Sequence, residues 1–443
     1  MLAVNAAVAE RAKALAGSVP VVAVDVLVGS TEDARTVAAL TEASSRLVVD
    51  GYPFAPDFAE QAGIDPEHTL RIDDHGRAPA HPAAVVLDQN LGSSPMPYHD
   101  RPRGSTLLLG SRYALLRADD GDGHPERGNR PRHLLVALGG DPTPELIDLV
   151  GRTLPRVTED LGLAADVIGG GDLGSLAAPG VTVHGFVADP GRLFASADLA
   201  LAAAGTTTWD LCRRGIPSVV VAAVENQEPI VRAVIAAGAA RGLRGDDAVG
   251  PLTELWADAE LRGSVSRAGT ALVDGRGADR VVAALRSRDV DLRPATAADA
   301  RLLWHWANDD AVRAAAFDPT PIAWADHEVW LADHLADAGS AIYLAGPDGQ
   351  AAWGQIRFDR HAEGTGVIDV SVAADHRGSG RAAPLIRAGV RRAFADNPAL
   401  LRVRAHVRPS NHRSGAAFSI AGLAAMGERD GVSTFEGGRN DDW

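Results

Sequence analysis

Cysteine is all but absent: Cys212 is the only one in 443 residues. That excludes an intrachain disulfide framework and a cysteine-based zinc site, and on a helix face Cys212 reads as a small core residue. Positive charge is in deficit, with a formal net charge of −15. A nucleic-acid partner, which needs a basic footprint, is therefore not expected. An anionic small ligand remains open, because helix ends and single arginines can hold one. No uncharged apolar run is long enough to span a membrane, and no charged-then-apolar leader opens the chain. A cytoplasmic location, no membrane partner and no metal are expected. What is present is ordinary for a globular protein, 46% hydrophobic and 23% charged, with length for about three domains.

The stretch from Leu199 to Gln227 organises the rest. An apolar run ends at Gly205, and Thr206, Thr207 and Thr208 supply helix-starting hydroxyls. The helix carries Trp209, Leu211 and Cys212 and stops at Gly215, with Pro217 just beyond. Ser218 to Ala223 reads as the next buried parallel strand, leaving Glu225, Asn226 and Gln227 past its carboxyl end. Open α/β sheets bind ligands there. The helix-start N–H groups suit a phosphate, and Asp210, one turn in, suits a ribose diol. Taken alone, the stretch is also an ordinary strand–helix–strand unit with a polar cap. The polar residues at both strand ends are what favour a nucleotide.

Residues 4–16 have helical spacing. Residues 21–28 and 47–50 read as strands around a helix over 32–44, and 70–74 and 85–88 as short strands ending in acids. The polar turn at 88–92 has no evident packing purpose, and residues 107–116 close this first α/β region. Residues 118–131, rich in Asp, Gly and Pro, read as an exposed connection. A second alternation follows: a strand over 134–138, the turn Gly139-Gly140, a helix from about 144 to 160, then strands over 165–169 and 181–183. It ends near residue 285, and composition shifts there, with five of the eight tryptophans between 304 and 353. The expected domains are residues 1–125, 126–288 and 289–443.

In the last domain, 342–345, 353–358 and 367–373 read as strands. The turn Arg377-Gly378-Ser379-Gly380-Arg381-Ala382 then opens a helix to about residue 394, and its glycines let the backbone approach a pyrophosphate. A strand over 401–407 and a helix after Asn411 complete the pattern. With the opening Leu292-Arg293-Pro294, these features make residues 290–427 resemble the GNAT acetyltransferase family. The resemblance implies an α+β domain with acetyl-CoA as cosubstrate, bound by Arg377, Gly378, Gly380, Ala382 and Asn411. Catalysis in such a site is mostly positioning, and the amine must lose its proton before attacking the thioester. Asp369, acting through water, is one candidate base and His406 its rival; Asp369 also fits a structural role holding the turn. Phe418 stands where many members carry a tyrosine acid, so Ser414 or water takes that role. Trp324, Trp330 and Trp353 either stack on a sugar or uracil ring or pack the core.

Residues 1–285 resemble the UDP-sugar hydrolase of the pseudaminic acid pathway. The matching pieces are residues 49–52, 72–74, 88–92, 109–117, 138–142, 204–210 and 225–227. The resemblance implies two Rossmann-like domains of GT-B type facing a cleft. It places Gly140 and Thr206, Thr207 and Thr208 at the diphosphate, Asp210 at the ribose and Phe186 at the uracil edge. Asn226 and Gln227 fall at the sugar and Tyr52 at the reacting centre. The family's opening Gly-x-Gly-His-x-x-Arg loop has no counterpart, so the first domain is expected to be truncated by one strand–helix–strand unit, with unpaired edges or a re-paired sheet. An upstream start, a substitute for the histidine such as His75, or loss of hydrolysis would each account for it. The expected fold is thus α/β, two Rossmann-like domains followed by a GNAT domain. The expected function joins N-acetylation of a UDP-4-amino sugar to release of UDP. A glycosyltransferase or a non-catalytic UDP-sugar-binding module in place of the hydrolase stays open.

Overall fold

The computed structural model describes residues 1–6, 9–16, 18–42, 45–117, 130–347, 351–361 and 364–443. Most of the connection expected over 118–131 lies outside them. The chain divides into two compact units, Met1–Ala278 and Asp279–Trp443.

The first unit is built from parallel strands. β1 (Leu2–Asn5) pairs with β2 (Val21–Val24). β3 (Leu47–Asp50), β4 (Thr69–Ile72), β5 (Val85–Asp88) and β6 (Thr106–Leu109) form a four-stranded sheet in sequential order. β7 (His133–Ala137), β8 (Ala164–Ile168), β9 (Val181–Gly185), β10 (Leu199–Ala203), β11 (Ser218–Val221) and β12 (Arg241–Gly242) form a six-stranded sheet. Its order is β12-β11-β10-β7-β8-β9. The chain therefore starts in the middle, at β7, and winds outward first one way and then the other.

Parallel strands covered on both faces need apolar side chains throughout. In the six-stranded sheet, successive side chains feed two separate cores. Leu134, Val136, Leu199 and Leu201 pack under helices Pro144–Asp160 and Val249–Ala257. Leu135, Ala137, Ala200 and Ala202 pack against Phe194, Leu211 and Ile216 on the other face. Cys212 joins a third apolar cluster with Trp209 and Val220, and burial pushes its thiol pKa up to about 12.

Two local expectations change. The helix expected over residues 4–16 is confined to Ala9–Leu15, because Leu2–Asn5 extends to pair with β2. The strand expected over 21–28 ends at Val24; Gly29 takes φ +76° and Ser30 caps helix Thr31–Leu40 by accepting from Asp33 N–H.

The second unit holds one seven-stranded sheet. Its strands are β13 (Leu292–Pro294), β14 (Ala341–Ala345), β15 (Gly354–His361), β16 (Thr365–Val372), β17 (Arg402–Val407), β18 (Ala424–Arg429) and β19 (Val432–Gly438). The order is β13-β14-β15-β16-β17-β19-β18, antiparallel except for β16 with β17. Helix Ala382–Asp396 lies across one face, burying Leu385, Ile386 and Val390 against Ile356 and Val403. The approach is close: a Cβ on Gly389 would sit 2.5 Å from Ile356 Cγ2. On the other face, helices Ala300–Ala307 and Trp324–Ala336 cover Ile342 and Leu344.

Candidate functional site

In the second unit, β16 and β17 pair at Thr365 with Arg402, Gly366 with Val403 and Val367 with Arg404, and no further. β16 continues to Val372 on β15, and β17 to Val407 on β19. The two strands therefore part, and the facing edges of a wedge carry main-chain groups outside any ladder. Past the wide end of the wedge comes the glycine turn. Gly378 and Gly380 take φ +75° and +73°, and a Cβ on Gly378 would meet nothing within 4 Å. Left-handed glycines followed directly by a helix present successive N–H groups on one side. Pro384 forfeits no intrahelical bond in this first turn.

Arg377 does not reach into that opening. Its Nε donates to Val372 O at 2.9 Å and its Nη1 pairs with Asp309 at 2.9 Å. Asp309 also caps helix Asp310–Ala315, and the Arg377 guanidinium holds its carboxyl below the usual range. Arg381 lies over the ring of Trp353, 4.9 Å from its centroid. Ala382 opens the helix, and Asn411 caps helix His412–Ala421 by accepting from Ser414 N–H at 3.2 Å. Phe418, on that helix, is buried and stacked on Phe435, so its position serves the core.

Alternation along the strands puts Asp369 and His406 on the sheet face opposite helix Ala382–Asp396, one on each side of the wedge. Asp369 is exposed and paired to Arg357 Nη2 at 3.0 Å across β15. His406 Nδ1 shares a hydrogen bond with Thr434 Oγ1 at 3.3 Å. Burial, Arg404 and His361 lower its pKa. Sequence reasoning missed Arg357, which also pairs with Asp359 at 3.0 Å and lies over Trp330. The signal was there in the period-two run Gln355, Arg357, Asp359. Trp324, Trp330 and Trp353 are each half-buried with an arginine on one ring face.

In the first unit, Gly139-Gly140 follow β7 and Gly205 to Thr208 follow β10, adjacent strands where the winding direction reverses. Such a switch point leaves a crevice outside the carboxyl ends. Gly140 packs so tightly that a Cβ on Gly170 would fall 1.9 Å from its carbonyl oxygen. Helix Thr206–Arg213 has Gly205 as its N-cap and no side-chain cap, so the threonine hydroxyls do not start it as expected. Thr208 Oγ1 is buried without a hydrogen-bond partner among the described residues. Asp210 is half-buried one turn in, Phe186 is exposed beyond β9, and Asn226 and Gln227 follow β11. Gln227 Oε1 is taken by Ala223 N–H at 2.8 Å.

The carboxyl ends of β3, β4 and β5 gather Asp50, Asp73, Asp74 and Asp88. Burial raises the pKa of Asp50; burial and then Asp88 raise that of Asp74. The turn at 88–92 does have a packing purpose: Asp88, Gln89 and Asn90 are buried. Asn90 Nδ2 donates to Asp74 at 2.8 Å and Asp88 at 2.9 Å, and Tyr98 OH to Asp88 at 2.7 Å. Gln89 Oε1 accepts from Leu115 N–H at 2.9 Å. Tyr52 is hydrogen-bonded to Asn226, which joins the rim of the four-stranded sheet to that of the six-stranded sheet. His75 takes φ +68° and gives its N–H to Asp88.

Among the described residues, no group of three or more His, Cys, Asp or Glu could hold a metal ion, and no helix is long and apolar enough to cross a membrane. No curated protein matches the chain. Solved structures similar to it include spermidine N-acetyltransferase from Vibrio cholerae in complex with CoA and spermine, at 16% identity and TM-score 0.31, covering 34% of this chain and 95% of that one. Aminoglycoside acetyltransferase AAC(6')-Ib in complex with coenzyme A is another, at 24% identity and TM-score 0.30, covering 34% and 95%. Residues 289–424 match the family model described as the acetyltransferase (GNAT) domain. The split sheet and the glycine turn lie within that match, and this part of the chain is a GNAT N-acetyltransferase domain.

Proposed function

We propose that the chain is a bifunctional nucleotide-sugar enzyme of nonulosonic, pseudaminic-type acid biosynthesis. Its second unit transfers acetyl from acetyl-CoA to the amine of a UDP-4-amino sugar. Its first unit, two Rossmann-like lobes of GT-B type, holds the UDP-sugar and hydrolyses the diacetamido product to free sugar and UDP. The observation that carries the transfer is the wedge between β16 and β17 opening onto the turn at 377–382. The fit to coenzyme A rests on the open side of Gly378 and the amides around it.

The thioester lies along the wedge, where edge N–H groups of β16 stabilise the oxyanion. His406 takes the ammonium proton, because its lowered pKa keeps the imidazole neutral at pH 7. The amine then attacks the carbonyl carbon, the C–S bond breaks, and Ser414 or water protonates the thiolate. In the first unit, the crevice after β7 and β10 supports a diphosphate site, and the orphaned Thr208 hydroxyl supports a polar ligand there. Tyr52 faces the reacting sugar, with Asp50 and Asp74 as proton carriers on the same rim.

The test incubates the full chain with acetyl-CoA and a UDP-4-amino sugar, following free thiol and free UDP separately. Thiol release that depends on the sugar, followed by UDP release, is expected. Gly380→Glu sets bulk and negative charge against the diphosphate and should abolish acetyl-CoA binding. Unchanged affinity in that variant removes the turn from the donor site, and thiol release that ignores the UDP-sugar overturns the acceptor.

A further inference from the structure

We propose that Arg286, which precedes the matched acetyltransferase domain, is a ligand for the diphosphate of coenzyme A. The inference rests on reading the turn at 377–382 as the diphosphate site. A Cβ on Gly380 would lie 3.6 Å from Arg286 Nη1, so the guanidinium lies against the turn. It is exposed and, among the described residues, makes no hydrogen bond or ion pair. The turn's own arginines are committed elsewhere: Arg377 to Asp309 and Val372 O, Arg381 to the face of Trp353. A helix N-terminus offers about half a positive charge, short of what a diphosphate carries. Arg286 supplies the missing cation, in the forked geometry that suits phosphate oxygens.

The residue is held there by its own element. Helix Gly277–Arg286 ends at Arg286, and Ala283 on it enters the apolar cluster with Leu385 and Ile386. Arg280 Nε donates to Ser419 O at 3.3 Å. Immediately after the helix, Ser287 O accepts from Arg391 Nη2 at 3.1 Å. These contacts fix the helix end against helix Ala382–Asp396, which starts at the turn, and against helix His412–Ala421, although residues 279–288 lie outside the family match.

The competing role for Arg286 is a cation at a helix carboxyl end, which affects stability and not affinity. The experiment titrates the full chain and its Arg286→Ala and Arg286→Lys variants with CoA and with 3′-dephospho-CoA, alongside thermal melts. Arg286→Ala should weaken both ligands equally, by about ten-fold, with Arg286→Lys intermediate. Undiminished affinity in Arg286→Ala, with or without a lower Tm, overturns the proposal. So does a loss confined to CoA, which would move the residue to the 3′-phosphate. Gly380→Glu separates the two readings: if it too binds CoA normally, the turn assignment falls first.

Discussion

His406 and Asp369 occupy equivalent places on either side of the same opening, and physical chemistry divides their roles. Asp369 is exposed and tied to a guanidinium, whereas burial first, then Arg404 and His361, work against the charged form of His406. Its pKa lies below the ordinary 6.5; with His406 as the base, activity should be full at neutral pH and be lost as pH falls through that lowered value. His406→Gln should reduce kcat roughly 100-fold and flatten that acidic limb, while Asp369→Asn changes kcat less than about three-fold. A steady-state pH profile checks both, and an unaltered limb in His406→Gln rejects the assignment. The left-handed turn at Gly378 and Gly380 ahead of the helix at Ala382, and the helix after Asn411, were legible in the sequence, because glycine turns and N-caps are local patterns with fixed spacing. Arg357, Asp309 and Arg286 were not. Their partners lie 12, 68 and 94 residues away, at Asp369, Arg377 and Gly380, and only the folded sheet brings them together.

Helices with their own start signals were readable almost to the residue. Thr143 and Pro144 open helix Pro144–Asp160, and Thr143 Oγ1 accepts from Leu146 N–H at 3.3 Å. What a helix buries through distant partners was not readable. Helix Ala382–Asp396 was read from its glycine turn, but not that it buries Arg387 completely, with acceptors Ala421 O and Asp442 O lying 34 and 55 residues further on. Helix Trp324–Ala336 has a comparable feature with a measurable consequence. His327 on its buried face gives a ring N–H to Ala300 O at 3.0 Å, and burial lowers its pKa. The unfolded chain takes up a proton near 6.5 before the folded one does. Stability of the second unit is therefore full above that value and falls as pH drops through 6.5 towards the lowered one. His334, on the same helix, acts in the same direction, again through burial first. Urea midpoints followed by tryptophan fluorescence should fall between pH 7 and pH 5, and His327→Gln should shrink that fall. An equal pH dependence in the variant would show that His327 is not its source.

At the scale of the molecule, two compact units each carry a glycine-lined helix start at the end of a parallel strand. The pattern that announced both was local, but the winding that makes each a crevice was not: β7 meets β10, and β16 parts from β17, only after folding. If the sites take different ligands, each ligand stabilises the unit that holds it. At a hundred times its Kd a ligand adds about 2.7 kcal/mol to its own unit. For units of this size that corresponds to a rise of roughly 5–10 °C in Tm. The tryptophans make the assignment possible, since only Trp209 and Trp256 of the eight belong to the first unit. Acetyl-CoA should shift the transition seen by tryptophan fluorescence, and UDP should shift the other, followed by circular dichroism of the full chain. Gly380→Glu should cancel the first shift and leave the second intact. A UDP shift that disappears in Gly380→Glu would place both ligands in the acetyltransferase unit and leave the crevice after β7 and β10 without a nucleotide.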